Sequence, residues 1–305
     1  MAIQGDSQAA EAIAAFGRVG TAMVTPFKGD DVDFDAVQAV AKHLVKAGSD
    51  MLVVSGTTGE SPTTSFEEKG DLLRAVKEAV PENVRVVAGI GTNDTRTSIA
   101  NVEQAVEAGA DGLLAVTPYY SKPSQTAIAE HMRAIADASD LPVMLYDIPG
   151  RSGVPIEKET LIELAECPTI LAVKDAKGDL ASTIEVMAST DLVYYSGEDA
   201  LNLPLLASGA VGVVSVAAHA VARPLSEMVD LVAANDIAAA RRLALDLAPA
   251  VDAIMNHMPG VVAAKACLEL MGVIPSRAVR MPLLPATADQ VDFLRRTLEG
   301  HGFLQ

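Results

Sequence analysis

Lys174 is the residue whose type and position indicate chemistry most directly. It ends the apolar run Ile170-Leu-Ala-Val-Lys174, and the two-residue period of a strand places Ile170, Ala172 and Lys174 on one face. A lysine at the end of a buried strand loses hydration, which lowers its pKa from about 10.4 toward about 7–8 and makes the amine able to attack a ketone. The alternative is a stem that covers the strand end while the ammonium lies in water.

A second lysine also has apolar neighbours. Lys265 lies in Val261-Val-Ala-Ala-Lys265-Ala-Cys, within a stretch of helical periodicity. There we expect a buried stem with an exposed ammonium group, which leaves Lys174 as the stronger candidate.

Polar residues that could assist Lys174 follow other apolar runs. Tyr146 ends Val143-Met-Leu-Tyr146, where a phenol can relay protons or simply cover apolar surface. Arg151 follows in a Pro-Gly-Arg-Ser-Gly turn, where a guanidinium binds a carboxylate or stays solvated. Gly56-Thr-Thr-Gly-Glu-Ser61 offers hydroxyls and backbone N–H groups to a small carboxylate, although an ordinary strand-to-helix turn explains its glycines equally well.

Short apolar runs that alternate with amphipathic segments must position these residues. We predict strands at 19–24, 50–54, 84–88, 112–116, 143–146, 170–174, 192–195 and 211–216. Helical patterns lie between them at 34–47, 65–80, 95–108, 125–138, 156–166, 180–189 and 202–207. Ser65-Phe-Glu-Glu68 is a capping box that fixes the start of one helix.

This alternation predicts an α/β fold, a TIM (β/α)8 barrel with additional C-terminal helices. The strand runs are nearly continuous in apolar residues, as parallel strands covered on both faces require. An open doubly wound sheet shares the alternation but usually has fewer strands. We place the barrel and a short N-terminal extension in residues 1–233, and a C-terminal helical subdomain in 234–305, with helices at 237–255, 261–271 and 288–298. In such a barrel the loops that follow the strands build the active site.

Composition restricts the partners of the protein. The 305 residues carry 23 Lys and Arg against 40 Asp and Glu, a net charge of −17 that repels nucleic acid and anionic membranes. The N-terminus has no signal-peptide pattern and the most apolar stretch is too short to span a bilayer, so we expect a cytoplasmic protein. Cys167 and Cys267 have no metal-ligand or disulfide spacing and the five histidines are unpaired, so we expect no metal and no cofactor.

Four motifs together resemble the dihydrodipicolinate synthase (4-hydroxy-tetrahydrodipicolinate synthase) family of class I, pyruvate-dependent aldolases. They are Gly56-Thr-Thr-Gly-Glu-Ser61, Thr117-Pro-Tyr-Tyr120, Tyr146-Asp-Ile-Pro-Gly-Arg151 and Val173-Lys-Asp-Ala176. The resemblance implies that Lys174 forms a Schiff base with pyruvate, and that the resulting enamine attacks the aldehyde of L-aspartate 4-semialdehyde. This reaction belongs to lysine and diaminopimelate biosynthesis.

The resemblance also implies roles for the neighbours of Lys174. It gives the proton relay to Tyr146, Thr57 and Tyr120, the substrate carboxylates to Thr58 and Arg151, and the lining of the site to the backbone of Gly197 and Val214. In the family, the tyrosine that matches Tyr120 reaches into the neighbouring subunit, which implies a homodimer as the minimal unit and a homotetramer as the usual assembly.

One part of the resemblance is incomplete. Lysine-inhibited members have an allosteric cleft whose matching positions include Ser61, Asn93 and Tyr119, and all three residues are present. The family's His is replaced by Lys69 and its Glu by Thr97. A cation and a missing carboxylate weaken the binding of a lysine ammonium, so we expect little or no inhibition by lysine.

Two other functions remain open at this point. N-acetylneuraminate lyase and 2-keto-3-deoxy sugar acid aldolases share the Lys and the Tyr, but they need other groups around the sugar hydroxyls. Tyr119-Tyr120 followed by Arg151 favours the synthase. A catalytically silent oligomeric barrel is the remote alternative, and the presence of Lys174 and Tyr146 counts against it.

Overall fold

Eight parallel strands close into a barrel, which confirms the predicted fold class. A computed structural model describes residues 6–304; residues 1–5 of the expected N-terminal extension and residue 305 lie outside the described residues. The strands are β1 (Val19–Ala22), β2 (Phe27–Lys28), β3 (Asp31–Val32), β4 (Met51–Val54), β5 (Arg85–Gly89), β6 (Gly112–Val116), β7 (Val143–Asp147), β8 (Ile170–Asp175), β9 (Val193–Ser196) and β10 (Gly212–Ser215). The barrel runs β1-β10-β9-β8-β7-β6-β5-β4, while β2 and β3 form a separate antiparallel pair.

Helices cover the barrel, and all of them except α1, α6 and α10 follow the predicted segments to within a few residues. They are α1 (Asp6–Phe16), α2 (Phe34–Ala47), α3 (Phe66–Ala79), α4 (Thr95–Glu107), α5 (Gln125–Ala136), α6 (Pro149–Ser152), α7 (Lys158–Leu164), α8 (Leu180–Ser189), α9 (Asn202–Ser208), α10 (Ala218–Ala233), α11 (Ile237–Met255), α12 (Gly260–Leu270) and α13 (Ala288–Gly300). The Ser65 capping box at the start of α3 is present, with both reciprocal hydrogen bonds.

Alternate side chains of each strand point into the barrel or out toward the helices. Ala172 belongs to the interior cluster, whereas Ile170 and Val173 pack in the outer layer. The pairing of β7 with β8 shifts register between Val143 and Met144, so Leu171 has no partner and the two-residue period is interrupted there. The expectation that Ile170 shares a face with Ala172 and Lys174 is therefore wrong for Ile170.

Helix α1 closes the N-terminal end of the barrel and was not predicted from the sequence. Phe16 at its end is fully buried, lies against the first residue of β6 and makes an edge-on contact with the Tyr195 ring, whose centroid is 6.3 Å away. The Tyr195 hydroxyl donates to the Gly17 carbonyl at 2.8 Å. This phenol therefore holds α1 in place at the end opposite the predicted active site.

Helix α10, which follows the last barrel strand, was also missed. Pro224 lies within it and Val221 has non-helical dihedral angles (φ −129°, ψ 31°), so the helix is kinked near its start.

Helices α11 to α13 pack on the barrel. Leu247 of α11, Leu268 of α12 and Leu294 of α13 are buried in the same hydrophobic core as the outer strand residues. Helix α10 ends at Ala233, next to the predicted boundary, but the core continues across it, and the division into two domains stays a prediction. Within residues 6–304, no helix is both long enough and apolar enough to cross a membrane.

Candidate active site

Lys174 and Tyr146 lie side by side where two neighbouring barrel strands end. The register of β7 and β8 pairs Tyr146 directly with Lys174, and the Lys174 Nζ atom is 4.0 Å from the centroid of the Tyr146 ring. Lys174 is 4% exposed and Tyr146 is 6% exposed. The amine is thus buried at the barrel mouth, and the alternative of an ammonium group in water is wrong.

The surroundings of Lys174 set its charge. Loss of hydration on burial lowers the pKa of Lys174 to about 8; the Asp199 carboxylate opposes this shift and the Arg151 guanidinium adds to it. Burial raises the pKa of the Tyr146 phenol, while Arg151 acts in the opposite direction. The amine is therefore partly unprotonated near neutral pH beside a phenol that keeps its proton, and such a pair suits nucleophilic attack with proton transfer.

Gly197 packs directly against the stem of Lys174. A Cβ atom at Gly197 would lie 2.7 Å from Cγ and 2.9 Å from Cε of Lys174, so a larger residue would displace the lysine. The Gly197 N–H donates to the Asp175 carbonyl at 2.7 Å, which fixes the loop after β9. Val214 on β10 is 1% exposed and belongs to the interior cluster.

Asp199 is a functional candidate that sequence reasoning missed. The side chain is 7% exposed and accepts hydrogen bonds from the Ser215 hydroxyl at 2.5 Å and from the N–H groups of Val216 and Ala217, each at 2.9 Å. These donors hold a carboxylate close enough to act on the charge of Lys174. The polar stretch Ser196-Gly-Glu-Asp199 was a visible signal, but nothing in it distinguishes Asp199 from Glu198.

The turn of residues 56–61 contributes two threonines to two neighbouring cavities. Thr57 is exposed and lines both a cavity of about 60 Å³, shared with Tyr146, and one of about 260 Å³, shared with Arg151. Thr58 is 8% exposed and lines the larger cavity. Thr57 therefore joins a cavity that has a phenol in its wall to a cavity that has hydroxyl groups and a guanidinium in its wall.

Tyr120 is set apart from the other predicted site residues. Its side chain is 88% exposed, its backbone adopts a positive φ of 75°, and it lines neither of these two cavities. The structure thus links Lys174, Tyr146 and Gly197 by direct contact, and Thr57, Thr58 and Arg151 through the two cavities. Val214 belongs to the same interior cluster as Tyr146, whereas Tyr120 is exposed.

The residues of the predicted inhibitor cleft are partly engaged elsewhere. Ser61 and Tyr119 line the smaller cavity, and Asn93 is exposed. The half-buried Lys69 donates from Nζ to the Thr64 carbonyl at 2.6 Å. The Thr97 hydroxyl donates to the Asp94 carboxylate at 2.5 Å, at the start of α4.

Lys265 departs from its prediction. Its side chain, ammonium included, is fully buried and forms an ion pair with Glu60 of the 56–61 turn. Burial lowers the pKa of Lys265 to about 8, and the Glu60 carboxylate opposes this shift. The expectation of an exposed ammonium group is wrong because the partner carboxylate lies 205 positions away along the chain.

The remaining candidate ligands stay apart. In the described part of the chain, no group of three or more His, Cys, Asp or Glu side chains could hold a metal ion. Both cysteines are free; Cys267 is buried and Cys167 is half-buried.

Comparison with known proteins identifies close relatives. The model of the dihydrodipicolinate synthetase family matches residues 15–301. The chain is 57% identical, over 95% of its own length and 94% of the relative's, to 4-hydroxy-tetrahydrodipicolinate synthase of Kineococcus radiotolerans. It is 52% identical to the enzyme of the same name from Acidothermus cellulolyticus, over 96% and 94% of the two chains.

A solved structure shares the whole fold. The crystal structure of dihydrodipicolinate synthase from Cyanidioschyzon merolae with lysine bound is 42% identical and superposes with a TM-score of 0.91. The match covers 95% of this chain and 99% of that one.

Proposed function

The chain belongs to the dihydrodipicolinate synthetase family, and from this premise we propose how its cleft condenses pyruvate with L-aspartate 4-semialdehyde to give 4-hydroxy-tetrahydrodipicolinate. The observation that carries the proposal is the buried amine of Lys174, which lies 4.0 Å from the centroid of the Tyr146 ring and close enough to the Arg151 guanidinium for that charge to lower its pKa. The enzyme is a lyase of lysine and diaminopimelate biosynthesis.

The first half of the reaction is the formation of an enamine. The Lys174 amine attacks the C2 carbonyl of pyruvate, and loss of water gives a Schiff base. Removal of a proton from the methyl carbon then gives the enamine, whose C3 atom is the nucleophile. A lysine whose pKa is about 8 supplies the free amine without a strong external base.

The second half joins the two substrates. The enamine carbon attacks the aldehyde of the semialdehyde, and the new alkoxide takes up a proton. The semialdehyde amine then attacks the C2 atom of the Schiff base, which closes the ring and releases the Lys174 amine. Tyr146, Thr57 and Tyr120 relay the protons, and the raised pKa of Tyr146 keeps its phenol as a donor.

Two separate groups bind the two carboxylates. Thr58, with the backbone of the 56–61 turn, binds the carboxylate of pyruvate, because hydroxyl and N–H donors suit a small anion. Arg151, which lines the larger cavity, binds the carboxylate of the semialdehyde. The backbone of Gly197 and Val214 lines the pocket around the Schiff base.

The relay requires a second copy of the chain. Tyr120 is 88% exposed and held in a strained backbone conformation, as expected for a residue that completes a neighbour's site. The active unit is a homodimer, and two such dimers form the homotetramer.

Sugar acid cleavage by the same lysine is the second candidate, and the walls of the cleft disfavour it. The larger cavity is closed by the apolar side chains of Met255, Pro259, Val261 and Leu283. A polyhydroxylated aldehyde would leave hydroxyl groups without partners against this wall.

Parallel assays decide between the two reactions. Pyruvate with L-aspartate 4-semialdehyde is expected to give product at a rate at least about 100-fold above that of cleavage of N-acetylneuraminate or 2-keto-3-deoxygluconate. Faster cleavage of either sugar acid would overturn the proposal.

A further inference from the structure

The 56–61 turn is held in a conformation that its own residues do not favour. Ser55, just before it, and Glu60, within it, both have positive φ angles, of 59° and 56°. Side chains other than glycine adopt this region at a cost, so surrounding contacts must impose it.

One of those contacts comes from the first barrel loop. The Thr25 hydroxyl donates to the Gly59 carbonyl at 2.7 Å and is itself buried. This bond holds the middle of the turn but leaves the Glu60 carboxylate unexplained.

The Glu60 carboxylate is bound entirely by the C-terminal part of the chain. One oxygen accepts from the Lys265 ammonium of α12, and the other accepts from the Arg280 backbone N–H at 2.9 Å. Glu60 is 3% exposed and Lys265 is fully buried, so neither charge has access to water. A buried charge without its partner is strongly destabilising, which makes this pair a demanding constraint on the position of Glu60.

Both cations lie close to the aromatic ring of Phe27. The Lys265 Nζ atom lies 4.2 Å and the Arg280 Cζ atom 4.4 Å from the centroid of the Phe27 ring. Lys265 also donates to the Ala278 carbonyl at 2.7 Å, and Arg280 donates to the Thr63 carbonyl at 2.7 Å, just beyond the turn. The Lys265 ammonium therefore contacts a carboxylate, a backbone carbonyl and an aromatic ring.

The same helix forms a wall of the cleft. Gly260 and Val261, at the start of α12, line the larger cavity together with Thr57, Thr58 and Glu60. A shift of the turn relative to α12 would change the shape of the cavity that receives the substrates.

We propose that Lys265 is a positioning residue, which through Glu60 fixes the 56–61 turn in the conformation that binds the pyruvate carboxylate. The inference rests on the proposed function only in taking pyruvate as the ligand of this turn. It assigns to the C-terminal helices a part in catalysis beyond packing.

The test uses the half-reaction with pyruvate alone. The full-length protein is incubated with graded pyruvate and borohydride, and the adduct at Lys174 is followed by mass spectrometry. In Lys265→Met the half-saturating pyruvate concentration is expected to rise at least about 10-fold, while the maximal trapping rate stays within about 3-fold of the native value. An unchanged half-saturating concentration in folded Lys265→Met would overturn the proposal.

Glu269→Gln is the matched control. Glu269 lies on α12 one turn after Lys265 and forms an ion pair with Arg277, away from the turn. This variant is expected to lower the melting temperature without changing the half-saturating pyruvate concentration by more than about 2-fold. An equal rise in both variants would mean that loss of any α12 ion pair has this effect, which contradicts a specific role for Lys265.

Two further variants keep the test decisive. In the double variant Lys265→Met/Glu60→Gln, the half-saturating pyruvate concentration is expected to rise no further than in Lys265→Met, because the two residues act as one unit. A rise equal to the product of the two single-variant rises would contradict this. If Lys265→Met does not fold, Glu60→Gln, which removes the carboxylate that pairs with Lys265, is expected to raise the half-saturating concentration, and an unchanged value would overturn the proposal. Native protein that traps pyruvate but does not convert the semialdehyde would refute the proposed reaction and still allow this test.

Discussion

The amine of Lys174 is kept in the fold at a cost in stability. Burial lowers the pKa of Lys174 from 10.5 to about 8. Between these two pH values the unfolded chain binds more protons than the folded one, so stability rises with pH across this window. The cost is fully present below about pH 8 and disappears as the pH approaches 10.5.

Replacing Lys174 with methionine is expected to stabilise the protein. At about pH 6.5, Lys174→Met removes a buried charge and is expected to raise the free energy of unfolding by about 1–3 kcal/mol. This increase becomes smaller toward pH 10. Urea unfolding at the two pH values measures it, with the surface variant Lys158→Met as a control that stays nearly unchanged. A loss of stability at pH 6.5 would contradict the assignment of a strained, buried amine.

Gly197 is expected to tolerate no side chain. In Gly197→Ala the new Cβ overlaps the Lys174 stem, displaces the amine and lowers kcat about 100-fold, because small misplacements of a nucleophile are costly. Steady-state kinetics measure this, and Gly300→Ala, where no atom lies within 4 Å of the added Cβ, serves as the control. Native-like kcat in Gly197→Ala would show that Lys174 does not rely on this contact.

At the scale of single residues, the sequence predicted the neighbours Lys174 and Tyr146 because each ends an apolar strand run. The sequence wrongly predicted an exposed ammonium group for Lys265, because the helical pattern around this residue is the same whether or not a carboxylate faces it. Glu60 lies 205 positions away, and only the folded chain brings the two together. Asp199 was missed for a similar reason, since its donors come from the end of β10 and the residues that follow it.

At the scale of elements, strands and most helices were predictable because each repeats one apolar pattern. The irregularity at Leu171 of β8 could not be predicted, because a one-residue shift of register leaves no mark in a continuously apolar run. Helix α1 was missed because its apolar residues are mainly alanines, whose periodicity is weak. The position of α1 at the end of the barrel depends on the contact between Phe16 and Tyr195, which is distant in the sequence.

The elements around the inhibitor cleft are expected to make the enzyme insensitive to lysine. Lys69, at the start of α3, repels the ligand's ammonium, and the Thr97 hydroxyl is already bonded to Asp94. Initial rates at increasing lysine are expected to show no half-inhibition below about 1 mM. The exchange Lys69→His/Thr97→Glu is expected to increase sensitivity, and sub-millimolar inhibition of the native enzyme would refute this account.

At the scale of the whole molecule, the C-terminal helices share one core with the barrel and also reach the 56–61 turn. The sequence predicted these helices but not this contact. In the proposed assembly, the exposed Tyr120 is the residue that a second chain contributes to the site.

Complementation between two inactive variants tests that assembly. Tyr120→Phe and Lys174→Met are each expected to lose most activity. In a co-expressed dimer of one subunit of each, one site keeps both Lys174 and the Tyr120 of the other subunit. Activity of about a quarter of the native value is therefore expected from random pairing. Activity no higher than the sum of the separate variants would contradict a shared site.

The central claim is that Lys174 forms the Schiff base with pyruvate. Borohydride reduction in the presence of pyruvate, followed by peptide mass spectrometry, tests it most directly. The account predicts one reduced pyruvate adduct on the peptide containing Lys174 and none in Lys174→Met. Absence of the adduct, or its appearance on Lys265, would contradict it.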